Sequence, residues 1–114
     1  MIDHLLKIIS NDSDIISGGV FDEDGLLLYS FGNKNIINKV SNTMQKIIHE
    51  NHQQFYSLSI EPVNCLTLIG DKGTSIFWPM KKSSSLAIVI NSKSNLGKIR
   101  KDIRKILPRI EELI

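Results

Sequence analysis

The side chains whose type and spacing could do chemistry fall in a few short stretches. Asp22, Glu23 and Asp24 place three carboxylates side by side, and oxygen ligands suit calcium or magnesium. No further acidic ligand follows at loop spacing, and turn geometry explains Gly25, so the stretch reads as a turn. Gly70-Asp71-Lys72-Gly73-Thr74-Ser75 lacks the spacing of a phosphate-binding loop: it has too few residues between its glycines, and no Lys stands directly before Ser or Thr at a helix entry. His49 and His52 stand three apart, not the four of a zinc-binding His-Glu-x-x-His, and no third ligand accompanies them. Cys65 lies in an apolar stretch without a neighbouring base and reads as an inert thiol. No acid, base and nucleophile share a recognisable spacing, so the sequence predicts no catalytic residue, no metal site, no cofactor and no enzyme.

A basic stripe carries more weight. Lys98, Arg100, Lys101, Arg104, Lys105 and Arg109 set six cations against Asp102, more than solubility demands. Such a face could meet an acidic partner, an anionic membrane or nucleic acid, although a solvated helix face is its ordinary meaning. The net charge of +2 over the chain is too small to predict nucleic-acid binding. With 41% apolar and 23% charged residues the composition is globular, and 114 residues suffice for one core, so a single domain over 1–114 is expected. A lone cysteine excludes an internal disulfide, the chain opens without a leader-like segment, and no apolar run is long enough to span a membrane. A cytoplasmic protein with no integral membrane segment is the expectation.

The elements that position these residues follow from periodicity. Ile2, Leu5, Leu6, Ile8 and Ile9 give a short docking helix over residues 2–10. Ile15 to Phe21 and Leu26 to Phe31 flank the turn at Asp22 to Gly25 and form a hairpin; Gly18 and Gly19 inside it suggest a bulge or a close approach by another backbone. Ile36, Ile37, Val40, Met44, Ile47, Ile48 and Phe55 keep helical spacing, which predicts a helix from about Ile36 to Tyr56, with Pro62 blocking continuation. Val63 to Ile69 and Thr74 to Met80 make a second hairpin, and the continuous apolar run Leu86 to Ile90 reads as a central strand covered on both faces. Leu96, Ile99, Ile103, Ile106, Leu107, Ile110, Leu113 and Ile114 lie on one face of a final helix, capped by Ser94 or Asn95 and bent but not ended by Pro108. The order α-β-β-α-β-β-β-α predicts an α+β fold, a five-stranded antiparallel sheet flanked by helices in a profilin- or longin-like sandwich.

Filled with these residues, that order resembles the Roadblock family of dynein light-chain and small-GTPase-regulator proteins. The likeness is carried by Gly18-Gly19-Val20-Phe21-Asp22-Glu23-Asp24-Gly25-Leu26-Leu27-Leu28-Tyr29-Ser30, by the hairpin from Val63 to Met80, and by Leu86 to Ile90 followed by Asn95-Leu96-Gly97-Lys98-Ile99-Arg100. It spans nearly the whole chain, with a departure from Gln53 to Glu61, which is long and carries Phe55 and Tyr56. The resemblance implies a non-enzymatic scaffold that pairs with itself or with a second Roadblock-like chain, second helix to second helix and third strand to third strand. On that reading Ile36, Ile37, Val40, Met44, Ile47 and Ile48 form part of the dimer face, and Val63, Cys65 and Thr67 lie on the joining edge. It also implies a small Ras-like GTPase as partner. Two other classes stay open: a structural adaptor resembling the dynein light-chain or longin branch, without effect on nucleotide turnover, and a small-ligand sensor with a pocket inside each protomer.

Overall fold

The computed structural model describes residues 2–114. Helix α1 (Ile2–Ser10) leads into strands β1 (Ile15–Phe21) and β2 (Leu27–Phe31), then helix α2 (Lys34–Glu50) and a short helix α3 (His52–Ser57). Strands β3 (Leu66–Gly70), β4 (Gly73–Pro79) and β5 (Ser85–Ile90) and helix α4 (Leu96–Glu112) complete the chain. The strands form one antiparallel sheet in the order β2-β1-β5-β4-β3. The fold class is the expected one.

Strand alternation sorts the core into two layers. Ile76 and Trp78 on β4, with Leu86, Ile88 and Ile90 on β5, face the side where α1 supplies Leu5, Leu6 and Ile9 and α4 supplies Ile99, Ile103 and Ile110. The residues between them, Phe77 and Ala87, turn to the other face and pack with Phe21 under Ile37 and Met44 of α2. β5 contributes to both layers because it lies between β1 and β4, which is why it carries no polar residue between Leu86 and Ile90. Burying each large aliphatic side chain contributes about 1.5–3 kcal/mol, so helix docking on both faces dominates the stability.

The glycine pair in β1 makes room for side chains, not for a second backbone. A Cβ on Gly18 would stand 2.6 Å from Phe31 Cε1, and one on Gly19 2.6 Å from Ile37 Cγ2. Gly19 therefore lets α2 lie directly on the sheet. The register slips lie to either side of the pair, between Ile15 and Ser17 and between Val20 and Phe21.

The long second helix of the sequence reading divides in two. Asn51 leaves helical geometry at φ −109°, ψ 20°, and its Nδ2 donates to the Ile47 carbonyl oxygen at 2.8 Å. An amide side chain competing for backbone groups in this way favours an end over a continuation. Phe55 consequently belongs to α3, outside the α2 stripe. The start of α2 is fixed by Asn33, whose Oδ1 accepts from Asn35 N (2.9 Å) and Ile36 N (3.2 Å). α4 is capped by Asn95, whose Oδ1 accepts from Lys98 N at 3.1 Å, and it runs through Pro108 to Glu112. Among the described residues no helix is long and apolar enough to cross a membrane.

Candidate partner interface

β3 is an edge strand with one neighbour, β4, and its register with β4 is unbroken from Leu66↔Phe77 to Gly70↔Gly73. It reads Leu-Thr-Leu-Ile-Gly, with no charge, proline or bulge to discourage a further strand. Leu68 and Ile69 are 45% and 72% exposed. The other edge, β2, is set off by the register slip at Val20/Phe21 and by the acidic turn, both of which blunt pairing.

The cross-strand partners show which way each β3 side chain points. Leu66 opposes Phe77 and Leu68 opposes Ser75, so both lie on the α2 face; Thr67 opposes Ile76 and lies on the α1/α4 face. Beside Leu68 runs a groove of about 200 Å³ between α2 and the sheet, lined by Ile36, Val40, Met44 and Leu68 with Lys39, Thr43 and Ser75. Ile36 is 44% exposed. An open strand edge thus adjoins an apolar groove on the same flank.

The sequence-derived dimer face is only partly assembled there. Ile36 and Val40 line the groove, but Ile37 and Met44 are buried against the protomer's own sheet and belong to its core. Ile47 is half-buried, and Ile48 packs toward the α2-side core further along the helix. Val63 and Cys65 precede β3, which begins at Leu66, and Cys65 packs on the α1/α4 side with Thr67 Oγ1 3.7 Å from its Sγ. Leu66 and Leu68 share the α2 face, and Cys65 and Thr67 turn to the α1/α4 face.

The six cations of the final helix lie on α4. Lys98, Arg100, Lys101, Arg104, Lys105 and Arg109 are all exposed, and Lys98 Nζ stands 3.5 Å from Asp102 Oδ2. Arg100, Lys101 and Arg104 gather with Gly97 around a shallow depression of about 250 Å³.

Asp22 Oδ1 accepts from Asp24 N and Leu26 N, both at 2.9 Å, and Gly25 takes φ +79°, so the carboxylate organises its own turn. Gly70 pairs with Gly73 across the two-residue turn Asp71-Lys72. His52 Nδ1 meets Glu61 Oε2 at 2.6 Å. Among the described residues no three His, Cys, Asp or Glu side chains gather as metal ligands.

Element order, sheet order and helix layering define an α+β sandwich of the kind that Roadblock-type and profilin-like proteins share. Among solved structures the chain is similar to the gliding protein MglB from Thermus thermophilus, with TM-score 0.79 and 13% identity over 97% of this chain and 88% of that one. A Roadblock/LC7 domain from Streptomyces avermitilis superposes with TM-score 0.78 and 8% identity, covering 94% of this chain and 91% of that one. An MglB with tetrameric arrangement gives 0.78 and 8%, covering 96% and 87%. No protein-family model matches the chain, and no curated protein matches it in sequence. At these identities the likeness is one of fold.

Proposed function

We propose that the chain is a non-enzymatic Roadblock-type scaffold, one domain over residues 1–114, that pairs with a second copy through β3 and the flank of α2 and binds a small Ras-like GTPase on the joined surface. The observation that carries this reading is the uncharged edge of β3 continuous with the groove at Ile36, Val40 and Leu68. Strand addition would satisfy the free backbone groups of that edge, and a second copy would cover Leu68 and Ile36 on the same side. A domain of 114 residues also gains core by pairing. The MglB of tetrameric arrangement supports self-association of this fold.

The GTPase part rests on the Roadblock likeness of fold and hairpin. No residue is assigned a catalytic role: the scaffold regulates or anchors its partner by shape and contact, in the cytoplasm. The α4 cations offer a second surface, toward acidic partners, through which electrostatic steering would raise the association rate. The competing reading is a structural adaptor that holds a larger complex together and is indifferent to nucleotide.

A titration against the small Ras-like GTPases of the same cell, each loaded with GDP or a GTP analogue, separates the two. The scaffold reading expects one GTPase to bind at least about tenfold tighter in one nucleotide state, a difference of about 1.4 kcal/mol. Equal affinity in both states, or none in either, would favour the adaptor.

A further inference from the structure

A second cleft lies at the opposite end of the molecule from the β3–β4 turn. The C-terminal turns of α2, the start of α3, the end of β4 and the β4–β5 connection enclose about 280 Å³. None of the residues lining it lines the β3 groove. Its lining combines apolar Ile48, Phe77 and Pro79 with polar Gln45, His49, His52, Ser83, Ser84 and Ser85.

The polar part of the lining is rich in donors and holds no carboxylate. Ser85 is 2% exposed, yet its Oγ has no hydrogen-bond partner among the described residues. Its cross-strand neighbours are Pro79 and Phe21, so its side chain is on the α2 face of the sheet, the face on which the cleft opens. A buried hydroxyl without a partner is unfavourable, and a ligand acceptor would satisfy it. His49 presents a ring N–H in either tautomer. Ser84 Oγ donates to Lys81 O at 2.7 Å and helps fix the connection. Lys81 and Lys82 stand exposed in that connection, with Lys82 and Ser83 held at φ 59° and 61°. Of the nearby acids, Glu61 is engaged by His52, and Glu111 accepts from Lys81 N at 3.2 Å.

We propose that this cleft binds a small monocarboxylate with an aromatic or short aliphatic body, its carboxylate taken by Ser85 and His49 and its body lying on Ile48, Phe77 and Pro79. A mostly apolar lining with a few polar groups is the usual form of a small-molecule site. At about 30 Å³ per water, the volume corresponds to roughly nine waters, more than enough for a benzoate-sized ligand. A ligand so small is expected to bind with a dissociation constant on the order of 1 mM.

The test is an NMR titration of the whole chain with benzoate to about 20 mM, with benzyl alcohol as the neutral analogue. Saturable shifts are expected at the amides of Ile48, His49, Phe77 and Ser83 to Ser85. Benzyl alcohol should bind at least about tenfold more weakly, and Ser85→Ala and His49→Ala should each weaken benzoate about tenfold. His49 is exposed on its helix, so its variant keeps the test valid if Ser85→Ala disturbs β5. Absence of saturation, shifts centred on Arg100, Lys101 and Arg104 instead, or equal binding of benzyl alcohol would overturn the proposal.

Discussion

Leu68→Asp is expected to shift the protein in solution from two chains to one while leaving each chain folded. Leu68 is 45% exposed on an edge strand, so in the single chain a carboxylate there stays hydrated. In the joined sheet it would be buried, with a second carboxylate from the other copy close by. Desolvation and like-charge repulsion together cost about 3 kcal/mol or more, over a hundredfold in the association constant. Sedimentation equilibrium at about 100 µM, with circular dichroism to confirm folding, reads both parts of the claim. Met44→Asp provides the contrast, because Met44 is a core residue and its replacement should unfold the chain. A Leu68→Asp protein that still pairs as well as the wild type would place the interface elsewhere.

Gly32→Ala is expected to be the most destabilising of the glycine-to-alanine changes. Gly32 takes φ +74° at the junction of β2 and α2, and a Cβ there would meet the Ile16 carbonyl oxygen at 2.5 Å and the Ser17 Oγ closer still. The left-handed conformation costs about 1–2 kcal/mol for a residue with a Cβ. Overpacking against backbone adds about 1–3 kcal/mol, because a carbonyl oxygen cannot swing aside as a side chain can. A loss of roughly 2–5 kcal/mol lowers the melting temperature by roughly 8–20 °C in a domain of this size. The same junction holds Asn33 N on Ser17 Oγ at 3.0 Å, so the strain should also loosen the seating of α2. Gly25→Ala is the control: its φ is +79°, but the nearest atom to a Cβ is Gln45 Oε1 at 4.0 Å, and it should cost only about 1–2 kcal/mol. Equal melting temperatures for the two variants would refute the crowding argument.

Periodicity made most of the fold legible. The apolar stripe of α4 continues past Pro108 because its register continues, and Leu86 to Ile90 carries no polar residue because β5 is covered on both faces. The interface was harder to read. Helical spacing shows that Ile36, Ile37, Val40 and Met44 share one side of α2, but not how wide a strip the sheet covers; only packing separates buried Ile37 and Met44 from exposed Ile36. In the run from Val63 to Ile69, leading into β3, both parities carry apolar residues, so periodicity does not fix its phase, whereas the pairing of Leu66 with Phe77 does. The break at Asn51 had a signal in its side chain, which the apolar spacing to Phe55 outweighed. The cleft at Ser85 had none, because its lining comes from three separated segments.

The measurement that tests the scaffold account most directly is a cysteine scan of β3 in a Cys65→Ser background, with disulfide formation between copies as the readout. Where two antiparallel copies of one strand meet at a two-fold axis, a single residue faces itself at a Cα separation of about 4.5–5.5 Å, within disulfide reach. The residues on either side are displaced about 7 Å along the strand from their own copies, beyond that reach. The account predicts efficient cross-linking at one position between Leu66 and Gly70 and a sharp fall on both sides of it. Cross-linking at none of them, or equally at positions along β2, would contradict it.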